Sequence, residues 1–207
     1  MTTIIDYGTG NIGSIANMLK KIGEESVITA EKEKIEQARR LILCGIGAFD
    51  DGISKLEALG IIDVLKKKVL QDNTPILGIC LGMQLFTKGS EEGSKEGLGF
   101  VNAYTRRFNF SNLNPEKILK VPHMGWNLAE AVKTSPLYND MYPDPRFYFV
   151  HSYHVILENK EDELLQTTYG YHFTSGFEKD NIIGVQFHPE KSHKYGIRLY
   201  ENFVRNY

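Results

Sequence analysis

Short apolar runs alternate with helical patterns through the first half of the chain. The runs in "TIIDY", "SVIT", "RLILCG" and "TPILGIC" have the length and apolar content of buried strands. Between the first two runs, "IGSIANMLKKIG" predicts a helix, and Gly23 is typical of a helix stop. Its apolar positions at helical spacing are Ile12, Ile15, Ala16, Leu19 and Ile22.

A second long helix is predicted over "LGIIDVLKKKVL", and a third begins at "LGMQLFTKG". In the second helix the apolar stripe indicates that five residues point inward: Ile61, Ile62, Leu65, Val69 and Leu70. Strands that alternate with helices in this way form a parallel sheet with right-handed crossovers.

The second half of the chain is mostly strand-like. The runs are "FVNAYTRRFNF", "KILKVP", "FYFVHSYHVIL", "LLQTTY", "YHFTSGFE" and "NIIGVQF", and turns separate them. Only the final "HKYGIRLYENFVRNY" returns to a helix, with Ile197, Tyr200, Phe203 and Val204 on one stripe. We therefore expect a single α/β domain over residues 1–207, with a central, mostly parallel sheet, flanking helices and additional antiparallel strands in the second half.

Composition excludes several classes of function. The 207 residues are 42% hydrophobic and 24% charged, with a net charge of −2, so no bulk charge favours nucleic acid or a membrane surface. No apolar run approaches the roughly 20 residues that span a bilayer, and "MTTIIDYGTG" does not resemble a secretory signal. The two cysteines form no zinc-type spacing. We expect a cytoplasmic protein without metal or cofactor.

The second cysteine lies in "GICLG" (Gly78–Gly82), between a predicted strand and a predicted helix. The pattern G-x-C-x-G in this position is the thiol form of a nucleophile elbow. On five residues alone, an inert buried cysteine competes with this interpretation. The strand before it and the helix after it favour Cys80 as a nucleophile.

A thiol nucleophile needs a base, and one of the six histidines lies in a suitable context. His188 follows apolar "IIGVQF" at a predicted strand end, and Pro189 favours an extended conformation for it. In an extended segment, residues i and i+2 share a face. Glu190 is therefore expected to orient the imidazole of His188 toward Cys80. For His172 and His193, ordinary structural positions are the better interpretation.

Acyl transfer also requires hydrogen-bond donors for an oxyanion. The segment "CGIGAF" (Cys44–Phe49) follows a predicted strand and contains two glycines. Glycines permit backbone N–H groups to turn toward a ligand. By itself, however, this segment is better explained as a plain glycine turn.

The segments "CGIGAF", "GICLGMQ" and "GVQFHPEKS", in this order along the chain, resemble class I (triad-type) glutamine amidotransferases, whose fold is flavodoxin-like. "IDYGTGNIGS", "VPHMGWN" and "YFVHSYHV" narrow the resemblance to the glutaminase subunits of imidazole glycerol phosphate synthases. The resemblance covers essentially the whole chain.

The resemblance implies hydrolysis of L-glutamine by a catalytic triad of Cys80, His188 and Glu190. It further implies oxyanion donors in Gly45, Ile46 and Gly47 and at the N–H of Leu81, and a substrate site formed by Gln84, Ser152 and Tyr153. Released ammonia would pass to a (β/α)8-barrel synthase partner, which makes imidazole glycerol phosphate and the purine precursor AICAR in histidine biosynthesis. The face toward that partner would include Asn11, Met124, Trp126 and Asn127, although Trp126 could also be a core residue on a strand.

One position departs from the family, which usually has proline where this chain has Cys44. Either Cys44 only shapes the glycine segment, or it is a second thiol with a chemical role. Three alternatives to the histidine pathway also remain. The chain could feed ammonia to another acceptor enzyme, such as a sugar amidotransferase of surface-polysaccharide synthesis. A catalytically idle interaction module is disfavoured by the complete triad, and a stand-alone cysteine hydrolase leaves "HMGWN" unexplained.

Overall fold

Twelve strands and six α-helices make up the described part of the chain. The computed structural model describes residues 1–111 and 119–207. The strands are β1 (Thr2–Ile5), β2 (Ser26–Thr29), β3 (Leu41–Gly45), β4 (Ile76–Cys80), β5 (Ala103–Arg107), β6 (His123–Leu128), β7 (Glu130–Ala131), β8 (Arg146–His151), β9 (Tyr153–Leu157), β10 (Glu163–Tyr169), β11 (Tyr171–Lys179) and β12 (Ile182–Val185). The helices are α1 (Ile12–Lys21), α2 (Lys32–Glu36), α3 (Phe49–Ala58), α4 (Ile62–Lys66), α5 (Leu81–Leu85) and α6 (His193–Asn206).

The central sheet has the strand order β2-β1-β3-β4-β12-β11-β10-β7. Its first five strands are mutually parallel, and β11, β10 and β7 continue the sheet antiparallel. Strand β9 pairs with β11 and β5, and β6 pairs with β8 in a separate two-stranded sheet. The predicted fold class is thereby confirmed: the sheet is mostly parallel where helices alternate with strands, and antiparallel where strands follow one another.

Alternate residues of the central strands pack into two buried clusters. On β3, Leu41 and Leu43 belong to one cluster, and Ile42 and Cys44 belong to the other. Because side chains along a strand point to opposite faces in turn, the clusters lie on the two faces of the sheet. Because both faces of these strands are buried, their sequences are continuous apolar runs rather than alternating ones.

The predicted helix over "LGIIDVLKKKVL" is not a regular α-helix throughout. After α4, residues Lys67–Gln71 form a π-helical turn. A π turn closes its hydrogen bonds one residue later, so the apolar stripe rotates. As a result, Lys68 is 9% exposed and Leu70 is 49% exposed, and the prediction that Leu70 points inward is wrong.

The apolar run "FYFVHSYHVIL", predicted as strand, is divided between two sheets. Strand β8 ends at His151 and pairs with β6, whereas β9 begins at Tyr153 and pairs with β5. Ser152 lies at the break. The division therefore places Ser152 and Tyr153 at the junction of the two sheets.

Several further segments differ from the sequence-based expectation, among them α2 and β7, which were not predicted. Helix α3 was not predicted, although Phe49, Ile53 and Leu56 form its buried face. In "KILKVP", predicted as a strand, Lys117 and Ile118 lie outside the described residues, and residues 119–122 are not in a strand. Among the helices of the described ranges, none is long and apolar enough to cross a membrane.

Candidate active site

Cys80 is the last residue of β4 and has a backbone conformation that is rare for a side chain other than glycine. Its φ is 54° and its ψ is −109°. Helix α5 begins at the next residue, so the chain reverses sharply from strand to helix. A non-glycine residue with positive φ is uncommon and costs free energy, and such strain clusters at functional sites. The predicted elbow is therefore present in the structure.

The two flanking glycines make this turn possible. A β-carbon at residue 78 would lie 2.8 Å from the backbone nitrogen of Met83, and one at residue 82 would lie 1.8 Å from the carbonyl oxygen of Leu43. Both distances are too short for any side chain. The G-x-C-x-G spacing thus reflects close backbone packing around Cys80 rather than flexibility.

We expect Gly82→Ala to lower the free energy of unfolding by about 3 kcal/mol, because the backbone of β3 would have to move. Gly13→Ala in α1 is the matched control, since a β-carbon there meets nothing within 4 Å. The control should be neutral or stabilising by up to about 1 kcal/mol. Urea denaturation monitored by circular dichroism measures both changes. Equal stabilities of the two variants would contradict the packing argument.

His188 follows β12 and is held in an extended conformation, with φ −103° and ψ 94°. Its backbone N–H donates to the carbonyl oxygen of Tyr148 at 2.9 Å. The hydroxyl of Ser192 donates to the carbonyl oxygen of His188 at 2.6 Å and accepts from the N–H of Tyr148 at 3.1 Å. The backbone N–H of His188 is therefore bonded directly to β8, and its carbonyl is linked to β8 through Ser192.

The imidazole of His188 is paired with Glu190, as predicted, but not for the predicted reason. Nδ1 of His188 lies 2.8 Å from Oε1 of Glu190, and both side chains are buried. The expected extended path ends at His188, since Pro189–Lys191 form a 3₁₀ turn. Proline suits the first position of such a turn, and the turn returns the carboxylate to the ring.

The imidazole of His188 has an unusually high pKa. Burial acts most strongly and lowers the pKa of His188, but Cys80 and Glu190 together outweigh it and raise this pKa to about 10. Nε2 of His188 is buried and makes no hydrogen bond with any residue that the structure describes. Since Nδ1 is occupied by Glu190, Nε2 is the nitrogen left for proton exchange at Cys80.

A cavity of about 420 Å³ opens above Cys80. It is lined by seven of the predicted site residues: Ile46, Gly47, Cys80, Leu81, Gln84, Ser152 and Tyr153. Glu92, His151 and Lys191 also line it and were not predicted. Gly45 is not among the lining residues, because its Cα faces the hydroxyl of Tyr7, which a β-carbon would approach to 2.0 Å.

Gln84 is held by two hydrogen bonds from the same nitrogen. Its Nε2 donates to the carbonyl oxygen of Tyr153 at 3.2 Å and to Oε1 of Gln186 at 3.0 Å. Nε2 of Gln186 in turn lies 3.7 Å from Sγ of Cys80. With both amide hydrogens engaged, Gln84 offers its Oε1 to a ligand in the cavity as an acceptor.

The glycine segment after β3 is tied to the loop after β1. The hydroxyl of Thr9 donates to the carbonyl oxygen of Ile46 at 2.6 Å and accepts from the N–H of Ile46 at 3.2 Å. Gly47 has φ 109°, which only glycine adopts readily. In this conformation the N–H of Ile46, a predicted oxyanion donor, is engaged by Thr9.

Cys44 is buried directly behind this segment. A β-carbon at Gly10 would lie 2.8 Å from Sγ of Cys44, so Cys44 packs against the loop that carries Thr9. Burial, followed by the charge of Glu190, raises the pKa of Cys44 to about 12. The thiol is therefore neutral near physiological pH, which favours the shaping role over a chemical one.

The residues predicted to face a partner lie at or near the surface. Met124 is 61% and Trp126 45% exposed, so Trp126 lies on a strand but is not a core residue. Its ring stacks on His193 at a centroid distance of 5.4 Å. Asn127 is half-buried, and Asn11 is exposed at the start of α1.

Sequence reasoning missed several residues near Cys80. Gln186 and His151 stand beside assigned residues, in "GVQFHPE" and "VHSYH", and could have been included on that ground. Glu92, whose carboxylate accepts from the N–H of Phe49 at 2.8 Å, lies in a polar loop without any local signal. In the described ranges, His, Cys, Asp and Glu side chains form no group of three or more that could hold a metal ion.

Comparison with known proteins shows the family to which this chain belongs. The family model described as Glutamine amidotransferase class-I matches residues 3–207. The chain is 54% identical over 205 residues to "Imidazole glycerol phosphate synthase subunit HisH 2" of Methanococcus maripaludis, covering 99% of both chains. It is 44% identical over 204 residues to the protein of the same name from Pseudomonas aeruginosa, covering 99% of this chain and 98% of that one.

A solved structure supports the same assignment at the level of the fold. PurLQS from Thermotoga maritima aligns with a TM-score of 0.72 at 16% identity, covering 98% of this chain and 96% of that chain. The family resemblance predicted from the sequence is confirmed. The chain belongs to the class I glutamine amidotransferases and, within them, to the family of imidazole glycerol phosphate synthase HisH subunits.

Proposed function

We propose that Cys80, His188 and Glu190 perform the glutaminase reaction of this glutamine amidotransferase. Sγ of Cys80 attacks the side-chain carboxamide carbon of glutamine, and the C–N bond breaks. Nε2 of His188 takes the thiol proton of Cys80 and delivers it to the amide nitrogen, so that ammonia leaves. Water then attacks the carbon of the resulting thioester and gives a proton to His188, the C–S bond breaks, and His188 returns the proton to Sγ as glutamate is released. Glu190 holds the imidazole at Nδ1 throughout.

One observation carries this proposal: a strained cysteine forms part of a cavity wall, and a buried histidine–carboxylate pair interacts with it. The φ of 54° turns Cys80 out of the strand. The pKa of His188 is raised by both Cys80 and Glu190, so the three groups act on one another. A structural cysteine would need neither the strained turn nor the histidine.

The cavity offers complementary groups for the amino-acid end of glutamine. Oε1 of Gln84 and the carboxylate of Glu92 are acceptors and suit the α-ammonium group. Ser152 and Tyr153, which also line the cavity where β8 gives way to β9, would receive the α-carboxylate. Leu81 and the segment 45–47 would provide N–H groups for the oxyanion.

The acceptor of ammonia lies in another chain under this proposal. The relatives are named as subunits of a synthase, so a (β/α)8-barrel partner would use the ammonia to make imidazole glycerol phosphate and AICAR in histidine biosynthesis. The exposed Met124 and Trp126 would form part of the contact. The relatives' names favour this pathway over a sugar acceptor. Since both cysteines are free thiols, a cytoplasmic setting fits the proposal.

The proposed function is tested by mixing the chain with a barrel synthase from the same genome. Glutamate release and imidazole glycerol phosphate formation should both occur, with glutamate made in step with product. A sugar amidotransferase is the comparison partner. Stimulation by that enzyme and not by the barrel synthase would contradict the histidine pathway while leaving the glutaminase assignment intact.

We also infer that the isolated chain is a poor glutaminase that a partner stimulates. The N–H of Ile46 is held by Thr9 and is not presented to an oxyanion in this conformation. Gly45 and Gly47 flank the two peptide groups involved, and glycines allow such groups to rotate at little steric cost. A partner that binds the rotated form better would raise its population and the rate.

Thr9→Val should raise the glutaminase activity of the isolated chain about fivefold. Valine keeps the shape of threonine but removes the hydroxyl that holds Ile46, and a net hydrogen bond is worth about 1 kcal/mol. Thr9→Ser, which retains the hydroxyl, is the matched control and should behave like the wild type. Glutamate release without partner is the measurement. Equal activity in the valine and serine variants would contradict the role of the hydroxyl.

A further inference from the structure

Two buried histidines connect the exposed strand β6 with the cavity. His123 on β6 lies opposite His151 on β8, and Nδ1 of His123 is 3.0 Å from Nε2 of His151. Nδ1 of His151 is 2.7 Å from the carbonyl oxygen of Tyr153. At the other end, Nδ2 of Asn127 is 3.2 Å from Nε2 of His123. Four residues thus form a continuous hydrogen-bonded chain.

The direction of every hydrogen bond in this chain is determined. The carbonyl of Tyr153 can only accept, so Nδ1 of His151 carries a proton. Burial lowers the pKa of His151 well below its usual range and that of His123 to about 4, so both rings are neutral. Nε2 of His151 therefore accepts, and Nδ1 of His123 donates to it.

The amide of Asn127 is the last member of this hydrogen-bonded series, and its orientation is fixed. Its Oδ1 accepts from the N–H of Leu128 at 2.9 Å, and its Nδ2 donates to the carbonyl oxygen of Thr168 at 2.9 Å. These two contacts fix which atom is the nitrogen. The same nitrogen donates to Nε2 of His123, so both histidines carry the proton on Nδ1.

The chain ends at the carbonyl that also holds Gln84. The carbonyl oxygen of Tyr153 accepts from both Nδ1 of His151 and Nε2 of Gln84. Through Gln186, the second hydrogen of Gln84 leads to Cys80. His123 itself does not line the cavity. Its ring stacks on Tyr169 at 4.1 Å and on Phe149 at 4.8 Å, a packing that an apolar residue could also provide.

We propose that His123 is a positioning residue for glutamine: acting through His151, it holds the Tyr153 carbonyl and Gln84, and with them the wall of the cavity that receives the substrate. The inference rests on the proposed function, since it presumes that glutamine occupies this cavity. A neutral imidazole suits the task because it donates at one nitrogen and accepts at the other. Without the donor at residue 123, Nε2 of His151 has no partner, and nothing on the β6 side holds the ring against the carbonyl of Tyr153.

The test compares His123→Leu with His123→Asn, whose amide can still donate to His151. The matched control is His154→Leu. His154, like His123, is 3% exposed and lies against the ring of Phe108. It bonds to Tyr171, however, and takes no part in the hydrogen bonds that lead to the cavity. Glutamine binding is measured by calorimetry on the full chain carrying Cys80→Ala. KM and kcat are measured on the protein with Cys80 intact, in complex with its synthase partner.

We expect His123→Leu to weaken glutamine binding and to raise KM about tenfold, with kcat changed less than threefold. His123→Asn should recover wild-type affinity within threefold, and His154→Leu should leave affinity unchanged. Equal loss in His123→Leu and His154→Leu, or failure of His123→Asn to recover binding, would overturn the inference. If the chain with His123 intact binds no glutamine, both the proposed function and this inference are wrong. If His123→Leu leaves the affinity unchanged, only the inference is wrong.

A second measurement does not depend on activity. Nitrogen-15 spectra of the histidine rings in the wild-type chain should show the Nδ1–H tautomer for both His123 and His151. In His123→Leu, the nitrogen-15 shift of Nε2 of His151 should move, because the hydrogen bond that this nitrogen accepts from His123 is lost. An Nε2–H tautomer for either ring in the wild type would contradict the hydrogen-bond directions assigned from Asn127 to Tyr153.

Discussion

Cys80→Ala is expected to lower glutamate release from glutamine by a factor on the order of 10⁴ or more, because it removes the atom that forms the thioester. Alanine keeps the small volume needed at the turn, so the fold and the association with the partner should persist. Synthesis by the partner from added ammonia should also survive, since that chemistry lies in the other chain. The measurement is glutamate release by the complex, followed by synthesis with ammonium salt.

Cys44→Ala is the matched control, since Cys44 is the only other thiol of the chain. Its activity should stay within tenfold of the wild type. With its pKa raised to about 12 by burial, Cys44 should also resist alkylation, so iodoacetamide should label one thiol per chain, at Cys80. Peptide mass spectrometry identifies the labelled residue. Labelling at Cys44, or substantial turnover by Cys80→Ala, would contradict the assignment of the nucleophile.

Glu190→Gln is expected to lower kcat by roughly 10²–10⁴, with KM nearly unchanged. An amide can place its NH₂ against Nδ1 of His188, which then must carry its proton on Nε2, the wrong nitrogen to take a proton. The carboxylate is also one of the groups that raise the pKa of His188. Steady-state kinetics of the complex measure the effect. Glu201→Gln, which alters an ion pair with Arg198 on α6, is the control and should match the wild type.

The same variant changes how stability depends on pH. The pKa of His188 is about 10 in the folded state against an ordinary value of 6.5, so folding binds the proton more tightly. The stabilisation is complete below pH 6.5 and is lost as pH rises through about 10. Chemical denaturation from pH 6 to 10 should therefore show a gap between wild type and Glu190→Gln that narrows with rising pH. A gap that widens would contradict the raised pKa.

Parts of the site that depend on local backbone geometry could be predicted from the sequence. The elbow at Cys80 follows from two glycines at positions where a β-carbon would meet backbone atoms at 2.8 and 1.8 Å. The contact of His188 with Glu190 spans only two residues, so the prediction succeeded even though the intervening backbone is a 3₁₀ turn and not extended. Local constraints of this kind act whatever the rest of the chain does.

Parts that depend on long-range contacts could not be predicted. Thr9 meets Ile46 across 37 residues, and Gln84 meets Gln186 across 102 residues. Neither threonine nor glutamine has a pattern that indicates its partner. Leu70 was misplaced for a related reason, since a single π turn, which periodicity does not reveal, rotated the apolar stripe toward solvent.

By itself, the sequence determined the α/β class, the nucleophile elbow and the family, because each rests on periodicity or on short segments with local steric meaning. Only the tertiary structure decided that Glu92 reaches the cavity, that Thr9 holds the N–H of Ile46, and that His123 and His151 join β6 to Tyr153. The placement of His123 and His151 follows from how the two sheets meet at Ser152. That junction depends on the packing of the whole core, which is a sum of many weak contacts and leaves no mark at any single residue.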